Sequence, residues 1–167
     1  DSYSEVLLTV IKPAIPIDAD FPHKSQSGYP LACYGFSVIN LTNYKYNAGL
    51  DVESLASNIA WDKNGIWDKE QFENFTKYYD SDIVYIYYGS PAYVLNKLAY
   101  GEPLIMYRNY YINGENVGHQ AAAFSFDDVG IYFGDSSNGN IVRIPYDELF
   151  KDEWGDGKTL NVFEYRK

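Results

Sequence analysis

The sequence predicts an α+β fold in one domain, and three observations carry that expectation. A chain of 167 residues fits a single domain and buries a core without disulfide or metal staples. Apolar residues recur at helical spacing through most of the stretch up to Gly101. After Gly101 the pattern changes to short alternating runs separated by turn-forming residues. A helical part followed by an antiparallel strand part reads as α+β.

The elements follow in order. Glu5 to Ile11, rich in Val, Leu, Ile and Thr, reads as an early strand ended by Pro13, and Ala14 to Pro30 as loop. From Cys33 the run to Tyr44 is long for a strand, and its small residues Gly35 and Ser37 suit a tightly packed helix. "DVESLASNIAWD" offers Asp51 as an N-cap with Val52, Leu55 and Ile59 at helical spacing. "DKEQFENFTKYYD" places Phe72, Phe75 and Tyr79 three to four apart. "SPAYVLNKLAYG" has Ser90 as cap, Pro91 at the first helical position and Gly101 as its stop. The runs "PLIMYRNYY", "HQAAAFSF", "GIYFGD", "NIVRIPY" and "TLNVFEYR" then read as strands joined by "NGEN", "DDVG", "SSNG" and "GDGK" turns. Residues 1–20 thus form an N-terminal strand and loop, 21–100 a mainly helical half, and 101–167 an antiparallel sheet half.

Composition narrows the function classes. A formal net charge of -10 argues against nucleic acid or an anionic membrane as partner, because both require a basic face. The same charge favours basic substrates or partners at low salt. The longest apolar run, "EVLLTVIKPAIPI", is interrupted by Lys12, Pro13 and Pro16, too short to span a bilayer and without the layout of a signal peptide, so the chain reads as soluble with no integral membrane segment. One cysteine suits a reducing cytoplasm and an exported bacterial protein alike. The triplets "NLT" at Asn40 and "NFT" at Asn74 fit a glycosylation pattern that also arises by chance. Tyrosine, at 18 residues, is abundant and assigns no function.

Cys33 is either a small core residue or a nucleophile with distant partners. A thiol at a helix N-terminus lies where its anion is best stabilised, since unpaired backbone N–H groups and the helix dipole favour negative charge. Hydrolysis further requires a base to move the thiol proton and a third group to orient that base. Of the two histidines, His23 sits in the loop "DFPHKSQ", whereas His119 opens the strand "HQAAAFSF". The following strand ends in Asp135 and runs antiparallel to it. If Gly130 closes a three-residue turn in the left-handed conformation, Asp127 faces Ile131, and His119 and Asp135 share a face. They would still lie a few residues apart along the strands, so contact requires local bending. Asp135 alternatively heads the turn "DSSNG". A zinc site fails on ligand count, with one Cys and two His at no metal spacing. No metal or other cofactor is expected.

In this arrangement the chain resembles the papain-like cysteine peptidases, and within them the bacterial enzymes that cut double-glycine leader peptides. "DFPHKSQSGYPLACYGFSVINLTNYKYN" is similar to the opening of that family, with Pro22 and Gln26 in the loop, Cys33 on the helix, Ser37 one turn later and a stop at Tyr44 to Asn47. Gly101 and Pro103, the Gly-His strand, "GDSSNG" and "PYDELFKDEW" with Trp154 match later segments. The resemblance implies a papain-like fold in which Cys33 is the nucleophile, His119 the general acid/base and Asp135 its orienter, with the Gln26 amide and the Cys33 backbone N–H donating to an oxyanion. The chain departs from the family at Tyr34, where Glu or Gly is common, at Ser125-Phe126, which replaces Gly-Tyr, and at Ser136, which replaces Pro. The expected function is hydrolysis of a peptide or amide bond in a peptide or protein substrate through an acyl-thioester on Cys33, with amidase or acyltransferase chemistry as variants. The opposing class is a non-catalytic peptide- or glycan-binding module on the same fold. A secreted or cell-surface bacterial location is the expectation, with the cytoplasm open.

Overall fold

The computed structural model describes residues 12–29, 32–51, 82–108, 111–116, 118–149 and 160–166. The strand expected at Glu5 to Ile11, the two helices expected between Val52 and Asp80, Asn74, and Trp154 lie outside them. The described elements are α1 (Cys33–Tyr46), β1 (Asp82–Gly89), α2 (Pro91–Ala99), β2 (Leu104–Arg108), β3 (Tyr111–Ile112), β4 (Glu115–Asn116), β5 (His119–Phe126), β6 (Gly130–Asp135), β7 (Asn140–Pro145), α3 (Tyr146–Leu149) and β8 (Leu160–Arg166). Six strands form one sheet in the order β1-β8-β2-β5-β6-β7, every pairing antiparallel, and β3 and β4 make a separate small hairpin. Asp82–Gly89 was expected in the helical half but is a strand on the edge of this sheet. Its run of Ile, Val and Tyr suits a pleated surface.

The sheet buries both faces at its centre. Leu104, Met106, Ala121 and Ala123 join Val94 and Leu98 of α2 in one core, whereas Ile105, Ala122 and Phe124 join Val38, Ile39 and Leu41 of α1 in the other. Alternate residues of β2 and β5 therefore serve opposite cores. The alanines of "HQAAAFSF" let helices approach from both sides.

α1 is central, with Gly35 through Thr42 all buried. A helix buried all round needs no apolar stripe, which is why it has no strong amphipathic pattern. Thr42 Oγ1 donates to Val38 O at 2.8 Å and Asn40 Oδ1 accepts from Lys24 N at 3.0 Å, whereas the buried Asn40 Nδ2 makes no hydrogen bond among the described residues. Burial of Asn40 and Thr42 removes "NLT" as an accessible glycosylation site. α1 stops at Asn47, whose φ of 49° is left-handed, and Asn43 clamps the exit through both Leu50 N and Leu50 O.

α2 has the expected punctuation. Ser90 Oγ accepts from Tyr93 N at 3.1 Å, and Pro91 occupies the first turn. Past its end Gly101 takes φ +73°, with Gly101 N bonded to Leu98 O and Glu102 N to Lys97 O. That pair of bonds is a Schellman closure, which favours glycine at the left-handed position.

Candidate active site

The site is assembled where the N-terminus of α1 meets the start of β5 and the end of β6. α1 packs against β5, and Ser37 Oγ lies 2.8 Å from Cys33 O and 3.1 Å from Gln120 O, joining the first turn of the helix to the strand. Ala32, at the N-cap position, offers no side-chain hydrogen bond to that turn. Cys33 is partly exposed there, the placement expected of a reactive rather than a core thiol.

His119 and Asp135 come together through a departure from the expected register. The turn is not a three-residue one with a left-handed Gly130: Gly130 already begins β6, and Phe126, not Asp127, faces Ile131. Continued regularly, this one-residue slip would put His119 and Asp135 on opposite faces. A bulge between Ala123 and Ser125 corrects it, so that Ala123 faces Phe133 and Ala122 faces Gly134. Phe124 and Ser125 then both serve the α1 side: Phe124 lies in that core, and Ser125 Oγ donates to Ile15 O at 2.6 Å. Beyond the bulge, His119 and Asp135 again share a face and are closer along the strands than the expected register allowed. His119 Nε2 and Asp135 Oδ1 are 3.0 Å apart, each side chain 18% exposed. The local bending that contact required is this bulge.

The electrostatics follow from these contacts. Burial disfavours the protonated imidazole, but hydrogen bonds and charge from Asp135 and Cys33 override it and hold His119 up at about 9. Burial alone would raise Asp135, yet the His119 bond and the Ser137 backbone N–H, at 2.8 Å, pull it below the usual carboxylate value. A raised histidine stabilises the fold fully below its ordinary value of 6.5 and loses that contribution as pH rises through about 9. The lowered Asp135 does the opposite, contributing above 3.8 and fading as pH falls below it.

Gln26 is 7% exposed and fixed from the other side of the site. Its Oε1 accepts from Ser136 Oγ at 2.7 Å, and its backbone N donates to Ser136 O at 2.7 Å. Ser136, one of the departures from the family pattern, is fully buried and immediately follows Asp135. It orients the amide so that Nε2, 3.4 Å from Tyr29 O, is the end directed away from the serine. Gly134 permits this loop to lie close, since a Cβ there would stand 2.9 Å from Pro22 O and 3.1 Å from the Phe21 ring. His23 is not part of the Cys33–His119–Asp135 network; its Nδ1 bonds Phe21 O at 2.6 Å. Tyr34 is half-buried beside the α1 core, and burial pushes its phenol well up, keeping it neutral.

One contact was not anticipated. Cys33 Sγ donates to Gln120 Oε1 at 2.8 Å. Strand alternation sends consecutive residues to opposite faces, so a sulfur reached by both His119 and Gln120 cannot be read from spacing. Among the described residues no group of three or more His, Cys, Asp or Glu side chains is arranged to hold a metal ion, and no helix is long and apolar enough to cross a membrane.

No protein-family model and no curated protein matches the sequence. Solved structures do. A C39-like peptidase from Bacillus anthracis superposes with a TM-score of 0.58 at 14% identity, covering 93% of this chain and 98% of its own. A double-glycine motif protease from an AMS/PCAT transporter, solved with the leader peptide, gives a TM-score of 0.55 at 14% identity, covering 95% of each chain. The chain therefore has the papain-like fold of these peptidases, as the sequence resemblance implied.

Proposed function

We propose that the protein is a cysteine peptidase that cleaves a peptide bond through an acyl-thioester on Cys33. One observation carries the reading: His119 is held through Nε2 by Asp135 at 3.0 Å, with Cys33 near enough to help raise its pKa. In the reaction the Cys33 sulfur, as thiolate beside the protonated His119, attacks the substrate carbonyl carbon, forming the C–S bond as the carbonyl π electrons move to oxygen. The Gln26 amide and the Cys33 N–H at the head of α1 donate to that oxyanion. Its collapse breaks the C–N bond, with His119 giving its proton to the departing amine. Water then attacks the thioester, His119 accepts the water proton, and the sulfur leaves as thiolate. Asp135 holds the imidazole oriented and stabilises its charged form throughout.

A peptide substrate is supported by the leader peptide found with the double-glycine motif protease. The test is incubation with a mixed peptide library that includes Gly-Gly sequences, followed by mass spectrometry of fragments and of acid-quenched enzyme. Cleavage with a peptidyl adduct on Cys33, both absent in Cys33→Ala, is expected. Peptides retained intact by wild type and Cys33→Ala alike would replace the peptidase with a binding module.

A further inference from the structure

Cys33 has two neighbours that favour opposite protonation states of its sulfur. A carboxamide oxygen accepts a hydrogen bond from a neutral thiol and repels a sulfur anion, and Gln120 Oε1 stands 2.8 Å from Sγ. A protonated imidazole stabilises the anion, and Asp135 keeps His119 charged. The Gln120 approach is built into the backbone: Ser37 Oγ bridges Cys33 O and Gln120 O, and Gln120 is held in the sheet opposite Tyr107.

Resting on the peptidase reading, we infer that Gln120 is a further residue of the catalytic set, a brake whose carboxamide oxygen holds Cys33 as neutral thiol until that oxygen is displaced. Displacement breaks the Sγ–H···Oε1 bond, the thiol gives its proton to solvent water, and the thiolate pairs with the already protonated His119. Water is the only other reactant. Among the described residues the titratable groups around the sulfur are few. His119 faces it from β5, with Asp135 of β6 behind; Tyr34, next along α1, stays neutral; the first turn of α1 carries no acidic residue. The loop side supplies Gln26, which is uncharged. A change in charge at position 120 therefore acts on the sulfur with little competition.

The experiment is alkylation of the native full chain by iodoacetamide between about pH 5 and about pH 9, followed by intact mass, since Cys33 is the only cysteine. Gln120→Ala should raise the rate near pH 6 about several-fold by releasing the thiol. Gln120→Glu, nearly the same shape, should lower it by a similar factor, because a carboxylate accepts the S–H more strongly and repels the anion. A merely structural residue would not move the two variants in opposite directions. Rates within about twofold of wild type in both variants, with His119→Ala still slow, overturn the brake alone. A slower Gln120→Ala also overturns it, since the amide would then be donating to the anion. If wild type resists modification until denatured, the peptidase reading itself fails.

Discussion

The β5–β6 hairpin carries an aspartate network at each end, and the two differ in what they leave unfinished. At the turn, Asp127 Oδ1 accepts from Val129 N and Gly130 N, while Oδ2 accepts from the Tyr132 hydroxyl and Arg143. Burial works against its charge, but these donors outweigh it and hold the carboxylate far below its usual range. Apart from Arg143 on β7, these partners are within five residues, and no nucleophile or base is among them. At the open end, Asp135 contacts a histidine sixteen residues away, whose pKa is raised further by the Cys33 thiol of another element. The first network closes a turn. The second ends beside a sulfur on another element, and under the proposed function that is what separates a structural carboxylate from a catalytic one.

Mutation at the two ends should break the symmetry most sharply at the nucleophile and its base. Cys33→Ala should abolish peptide cleavage, and His119→Ala should reduce it on the order of 10⁴-fold or more, measured as kcat/KM on any peptide the wild type cuts. His23→Ala should stay within a few-fold, because its ring is engaged with Phe21 O. Equal losses at both histidines would contradict the site.

Next in size comes the pair of aspartates. Asp135→Ala should lower kcat/KM by on the order of 10²-fold or more, less than His119→Ala, because orienting a base is worth less than being it. Asp127→Ala should leave kcat/KM unchanged and cost about 1–2 kcal/mol of stability through lost turn hydrogen bonds, read as a lower Tm. Reversed outcomes would assign the chemistry to the wrong end of the hairpin.

The sequence made one end of this comparison more legible than the other. Local signals placed α1, α2 and the spans of β5 and β6, because caps, Pro91, Gly101 and the turn clusters act within a few residues. β1 was lost between two helical readings although its own residues are strand formers. The bulge at Phe124 and Ser125 has no Gly or Pro to announce it; it arises because Phe124 fills the α1 core while Ser125 reaches Ile15 O on the same side. His119 and Asp135 were therefore paired on a register that differs from the observed one by one residue at the turn and by two beyond the bulge, and the two side chains still meet. Gln120 was invisible because its contact depends on how α1 crosses β5, between residues 87 apart. Ser136 was noticed only as a replaced proline, yet its hydroxyl fixes Gln26.

That clamp sharpens the comparison on the loop side. Gln26→Ala should reduce kcat on the order of 10²-fold with KM little changed, as for a donor used mainly in the transition state. Ser136→Ala should have a smaller effect of the same kind, about tenfold on kcat, by letting the amide turn. Neither should alter Cys33 alkylation by more than about twofold, since no oxyanion forms in that reaction. If Gln26→Ala leaves turnover within a few-fold of wild type, the amide is ordinary loop and the clamp only structural.

The central claim is that His119 sits charged between Asp135 and Cys33. With only two histidines in the chain, a proton NMR titration resolves both rings, and His23→Ala assigns them. The His119 midpoint should lie near 9 in the wild type and fall in both Asp135→Ala and Cys33→Ala, each of which removes a partner that raises it. A wild-type His119 that titrates at or below 6.5, unmoved by either substitution, would contradict the account.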